Sequence, residues 1–238
     1  MSGLRIRAQR ALFALAVPAG CLLSSPLPAG AQTRFYASML GTDTTSLERF
    51  ERRGSTITGV WVTYHPGGGR GGRDILRHEY TIGLTAEGRP SSMHLLLRRP
   101  GGPVVGTYDA RFTDDSVVIA ESDDSVPHRI AARRAFPVLG RSMVMVELIV
   151  AGASKGRQTP DSGTVVVVPV TGPFDAQTIL IARPSAGTVV LGRAGAPPFL
   201  LGPGGEVDSI VMSDGRVPLR HVPAFDIDAI ALAAAKGK

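Results

Sequence analysis

Apolar and polar positions alternate through most of this chain, in short stretches rich in Val, Ile, Thr and Tyr that are separated by clusters of Gly, Pro and Asp. Side chains two apart share one face of an extended strand, so this pattern predicts antiparallel β structure. The predicted strands are Arg34–Leu40, Ser46–Arg52, Thr56–Tyr64, Asp74–Thr85, Ser92–Arg99, Val104–Phe112, Val117–Glu121 and His128–Ala135. A second series runs over Thr164–Val170, Thr178–Ala182, Thr188–Arg193, Val207–Ser213 and Val217–Val222. Spacings of about eight to twelve residues favour a barrel or sandwich over alternating βαβ units.

Two segments break the period. Ser142–Ala151 is apolar on nearly every side, so periodicity alone does not separate a buried helix from a buried strand. Its length, the capping hydroxyl of Ser142 and the small residues that follow predict a helix. Near the C-terminus, Asp226 is placed to cap a helix over Ile227–Ala235, with Lys236 and Lys238 at its negative end. The expected fold is therefore mainly β, an antiparallel barrel or sandwich with one buried helix and a short C-terminal helix. Two stretches, Ile82–Arg89 and Ile210–Arg216, share a plan of apolar strand, acid, Gly and Arg, as two hairpins using the same turn chemistry would.

The N-terminal segment follows neither pattern. Arg5, Arg7 and Arg10 precede the apolar run Ala11–Val17, and Ala29-Gly30-Ala31 offers a small-residue cleavage site, so residues 1–31 are expected to be a signal peptide. The protein is then periplasmic or secreted, with no integral membrane span after cleavage. A lipoprotein anchored through Cys21 is the lesser alternative, since Pro18 stands where such signals carry an aliphatic residue. Cutting after Ala31 leaves 207 of the 238 residues and no cysteine. Disulfides, a thiol nucleophile and thiolate metal ligands are thereby excluded from the mature chain. The expected organisation is an N-terminal β unit over 32–151, a loop over 152–163 and a C-terminal β unit with its terminal helix over 164–238, the two units being separate or one continuous domain.

Charge changes the picture less than the whole-chain value suggests. The formal net charge of +6 falls to +3 when the leader, with three Arg and no acid, is removed. Arg52-Arg53, Arg98-Arg99 and Arg133-Arg134 are the densest basic clusters, too sparse for the concentrated basic face that nucleic acid requires. No nucleic-acid partner is expected.

Gly41-Thr42-Asp43-Thr44, followed by Leu47-Glu48-Arg49-Phe50 and Arg52, resembles the start of a group of secreted, β-rich bacterial proteins of unknown function. The resemblance covers about a dozen residues and implies an exported β architecture, with no functional residue to carry over.

The hairpin around Gly67–Gly72 holds the candidate site. If its loop closes symmetrically, Tyr64 stands opposite Ile75, Thr63 opposite Leu76 and Trp61 opposite His78. Alternation then gathers Ile57, Trp61 and Thr63 on one face with His78, Tyr80, Ile82 and Leu84. Trp61, Thr63, His78, Tyr80 and Ile82 are accordingly the expected ligand-binding residues, His78 supplying a hydrogen bond and Trp61 contact area. The competing reading is an ordinary core histidine. Gly152-Ala153-Ser154-Lys155-Gly156 matches the pattern of a hydrolase nucleophile elbow, but the residues after it do not suit the required helix and read as a flexible loop. Gly67–Gly72 lacks the Gly-Lys-Ser/Thr ending of a phosphate loop. Histidines 65, 78, 94, 128 and 221 show no zinc spacing, and the acids at Asp114-Asp115 and Glu121–Asp124 flank a short strand as solvated turns. No catalytic residue, metal ligand or cofactor is assigned.

An exported non-catalytic β protein that binds an apolar or amphipathic small molecule is the reading these features favour. The alternatives are a cell-envelope interaction or scaffold module that pairs with another protein through its sheet edges, and, less favoured, a hydrolase using His78 or Ser154.

Overall fold

A computed structural model describes residues 32–40, 43–68, 72–154, 163–192 and 196–236, so the leader and Cys21 lie outside the described residues. So do Lys155–Ser162 of the expected central loop and residues 69–71 of the glycine-rich hairpin.

The alternating stretches form fifteen strands. They are β1 (Gln32–Leu40), β2 (Asp43–Arg53), β3 (Thr56–Gly68), β4 (Gly72–Leu84), β5 (Pro90–Arg98), β6 (Val104–Phe112), β7 (Ser116–Glu121), β8 (His128–Ala131) and β9 (Phe136–Val138). Helix α1 (Met143–Ser154) separates them from β10 (Gly163–Pro169), β11 (Gln177–Ala182), β12 (Thr188–Gly192), β13 (Phe199–Leu201), β14 (Val207–Ile210) and β15 (Leu219–His221), and α2 (Ile227–Ala235) ends the chain. All fifteen strands join one sheet that does not close, in the order β8-β7-β6-β5-β4-β3-β2-β1-β15-β14-β13-β12-β11-β10-β9. Neighbours are antiparallel except for the β9–β10 pair. Pairing of β1 with β15, Tyr36 opposite His221, joins the strands before α1 to those after it.

Register in the β3–β4 hairpin is the expected one: Trp61 stands opposite His78, Thr63 opposite Leu76 and Tyr64 opposite Ile75. The acid-Gly-Arg turns are alike as well. In the first, Gly88 has φ 77°, its N–H donates to the Thr85 carbonyl and the Thr85 N–H donates to Arg89; in the second, Gly215 with φ 79°, Met212 and Arg216 repeat the arrangement. Elsewhere the elements depart from the expected bounds. The strand expected over His128–Ala135 stops at Ala131, because the chain turns at Arg134, which takes φ 52°. Strands β9 and β13, three residues each, are too short to display a period. Helix α1 runs through Ser154, three residues into the expected loop, so Gly152 and Ser154 belong to its last turn.

One face of the sheet buries α1. A helix that is apolar all round belongs in a core, and Met143, Val144, Met145, Leu148, Ile149 and Val150 pack in one cluster with Tyr36, Trp61, Tyr80 and Leu95 from the early strands and Val167, Val189 and Val207 from the late ones. The helix nests closely: a Cβ on Gly152 would stand 2.4 Å from the Phe136 ring. On the opposite face, α2 covers Ala37, Leu47, Val60, Val62, Tyr64 and Ile75 with Ile227 and Ala231. Asp226 caps α2 as expected, its carboxylate accepting from the N–H groups of Asp228 and Ala229. Burying Ile227 almost completely contributes about 2 kcal/mol to that docking.

Candidate functional site

The five residues expected to bind a ligand do meet on one face. Trp61, Thr63, His78, Tyr80 and Ile82 are all buried on the inner side of β3 and β4. The Trp61 and His78 rings lie 4.7 Å apart, and His78 Nδ1 is 3.2 Å from the Trp61 carbonyl. The space above this face is filled. A Cβ on Gly140 would stand 2.5 Å from Trp61 Cη2, so the chain entering α1 rests directly on the indole.

Glu48, joined by Tyr80, serves the helix from this face. The row Tyr36, Glu48, Trp61, His78 crosses four strands, and Glu48 is 2% exposed. Its Oε1 accepts from the Tyr80 hydroxyl at 2.7 Å and from Ser142 Oγ at 2.6 Å, while Oε2 accepts from the N–H of Met143. The N–H of Val144 also donates to this carboxyl. Glu48 thus caps α1 from another strand, filling backbone donors that a helix leaves open. Gly59 stands opposite Tyr80, and a Cβ there would be 2.3 Å from the ring, so the missing side chain is what admits it. Burial pushes the Glu48 carboxyl up to about 7 against the pull of its donors, and holds the Tyr80 hydroxyl well above its ordinary range.

A second carboxylate ties the helix at mid-length. Glu147 Oε1 takes Arg34 at 2.6 Å and the Tyr36 hydroxyl at 2.6 Å. Burial raises the Glu147 carboxyl, with Arg34 and Tyr36 pulling it back. Burial and the charge on Glu147 together hold the Tyr36 hydroxyl far above its usual value. Neither acid was singled out as functional from the sequence. Glu48 shares a parity with Phe50 and the opposite parity with Leu47, and both neighbours are buried, so the strand's own pattern does not say which face is inward.

Open space lies beside the helix. A cavity of about 630 Å³ is bounded by the end of β1, the start of α1, and β12 to β15. Its walls are mainly apolar, with Met39, Leu40, Met143, Val146, Leu191 and Phe199 prominent. Among the described residues that line it, Ser38 supplies the one hydroxyl side chain, Arg141 and Arg216 supply charge, and none is a His, Cys, Asp or Glu. Gly140 belongs to this wall, so the Trp61 cluster forms the layer directly behind it. Thr63 Oγ1, also in that layer, is buried without a hydrogen-bond partner among the described residues.

No family model matches the chain, and no curated protein matches it in sequence. Two solved structures resemble it. A DUF1089 family protein from Pseudomonas aeruginosa superimposes with a TM-score of 0.51 at 10% identity, over 73% of this chain and 93% of that one. A β-barrel-like protein of the domain of unknown function DUF1849, from Brucella abortus, gives 0.47 at 12% identity, over 80% and 93%. At such identity the first likeness is one of fold alone.

Other polar clusters are accounted for locally. Asp115 accepts from the hydroxyls of Thr113 and Ser116, Asp114 pairs with Arg89 at 2.9 Å, and Asp124 pairs with His128 at 2.7 Å, all within or beside turns. Among the described residues no group of three or more His, Cys, Asp and Glu gathers as metal ligands would, and no helix is long and apolar enough to cross a membrane.

Proposed function

We propose that this protein is an exported, non-catalytic module that binds an apolar or amphipathic small molecule in the cavity between α1, β1 and β12–β15. One observation carries the reading: a volume of about 630 Å³ with largely apolar walls and a few polar groups, the composition and size of small-ligand sites. Flexible Met39, Met143 and Met212 let such a wall adapt to an irregular chain. Trp61, Thr63, His78, Tyr80 and Ile82 lie in the layer behind and are not among the lining residues, and Trp61 braces Gly140 of the wall. Export through the 1–31 leader belongs to the same proposal.

An uncharged naphthylamine dye tests it. Folded protein is expected to bind the dye saturably with increased emission, and Val146→Trp, which fills the cavity, to weaken binding about tenfold or more while the fold persists by circular dichroism. Absence of saturable binding to the folded wild type overturns the reading, as does full binding by a folded Val146→Trp.

A further inference from the structure

We infer that the cavity's occupant is a single-chain amphiphile with an anionic head, and that Arg141 at the mouth receives the head. The inference rests on the binding reading above and adds the chemistry of the ligand. Arg141 and Arg216 are the charged residues among the described residues of the lining. The acids of adjoining turns, Asp43 opposite Leu40 and Asp214 beside Arg216, stand outside it. Asp214 already pairs with Arg216, which leaves that guanidinium compensated. Arg141 is exposed and has no hydrogen bond or ion pair among the described residues, so of these two arginines it is the one whose charge is uncompensated.

Arg141 is also held in place. Gly140 before it rests on Trp61, and Ser142 after it donates to the buried Glu48. The backbone that carries the guanidinium is therefore fixed, and less ordering remains to be done when an anion arrives. Glu48 itself sits behind the wall with both oxygens occupied by donors. A guanidinium offers a carboxylate or a phosphate parallel N–H donors, and both heads satisfy this geometry. The apolar depth beyond it takes the chain.

The test displaces N-phenyl-1-naphthylamine, an uncharged dye, from the wild type with dodecanoate, dodecyl phosphate, dodecanol and dodecyltrimethylammonium below their micellar ranges. The two anions are expected to displace it at lower concentration than the cation. Arg141→Gln is expected to reduce the anion-to-cation preference about fivefold, the scale of one solvent-exposed ion pair. Added salt reduces it as well, whereas Asp214→Asn, which frees Arg216, raises it. The tighter of the carboxylate and phosphate arms names the head. Failure of the dye to bind, or of any dodecyl compound to displace it, overturns the binding reading and this inference with it. Displacement with no anion preference, or with a preference that Arg141→Gln leaves intact, overturns the inference and leaves the binding reading standing.

Discussion

Glu48 provides the sharpest prediction, because it is a carboxyl enclosed in the core and capped on all sides by donors. Its ionisation is raised from 4.5 to about 7 in the folded chain, burial being the dominant cause. A group that binds its proton more tightly folded than unfolded contributes stability that is complete below the unfolded value and lost as pH rises through the folded one. The window therefore runs from about pH 4.5 to about pH 7, and the stability lost across it is about 3 kcal/mol. Glu48→Gln removes the titration. The amide keeps its oxygen as acceptor for Tyr80 and Ser142 but turns its NH2 towards the N–H of Met143, a mismatch of about 1–3 kcal/mol that does not vary with pH. The slope of the difference between variant and wild type is thus the informative quantity, and groups titrating in both proteins, Glu147 among them, cancel.

Urea unfolding followed by the emission of Trp61, buried and touching the α1 entrance, reads the difference directly. Measured at intervals between about pH 4.5 and about pH 8, stability of Glu48→Gln relative to wild type is expected to climb by about 3 kcal/mol. A flat difference refutes the reasoning. A difference moving the other way also refutes it, and would mean that the donors of Tyr80, Ser142, Met143 and Val144, with the positive end of α1, outweigh desolvation.

Dye binding and its loss in Val146→Trp check the cavity, and the reduced anion preference of Arg141→Gln checks its mouth. Gly140→Ala places a Cβ 2.5 Å from Trp61 at φ 50°, so strain and overpacking together are expected to cost about 2–4 kcal/mol by urea unfolding. Gly54→Ala, at φ 57° with nothing within 4 Å, serves as the strain-only comparison and should lose about 1–2 kcal/mol. Asp226→Ala removes the cap of α2 and is expected to lower stability by about 1 kcal/mol, with hydrogen exchange rising first in the amides of α2.

Much of the fold was legible because strands carry their own signal. Alternation in the β3–β4 hairpin, taken with a symmetric closure as the expectation, leads to the register in which Trp61 faces His78. The same logic reaches α2, where Asp226 is an unambiguous cap. It fails where an element is too short to repeat: Phe136–Val138 and Phe199–Leu201 are recruited as strands by their neighbours, β10 for the first and β12 and β14 for the second. It also fails in β2, where Leu47 and Phe50 are buried on opposite faces and conceal which way Glu48 points. The cavity was invisible for a different reason. Its walls come from residues 38–40, 140–146, 191, 196–199 and 210–219, segments that only the β1–β15 pairing and the placement of α1 bring together.

The position of that cavity follows from what a buried helix demands. An apolar helix covers one face of the sheet, yet its first turn brings unpaired N–H groups into the core and its middle brings a carboxyl. Each demand has a partner on the inner strands: Glu48 for the N–H groups of Met143 and Val144, Arg34 and Tyr36 for Glu147. Glu48, Arg34 and Tyr36 therefore answer to α1, and tie it towards β1 and β2. Space persists on the other flank, where Met143 and Val146 face β12 to β15 across the cavity. If the tether is what sets that gap, loosening it at Glu48 should alter ligand affinity as well as stability. The two measurements made on Glu48→Gln then test a single physical claim, that the buried carboxylate positions one wall of the cavity.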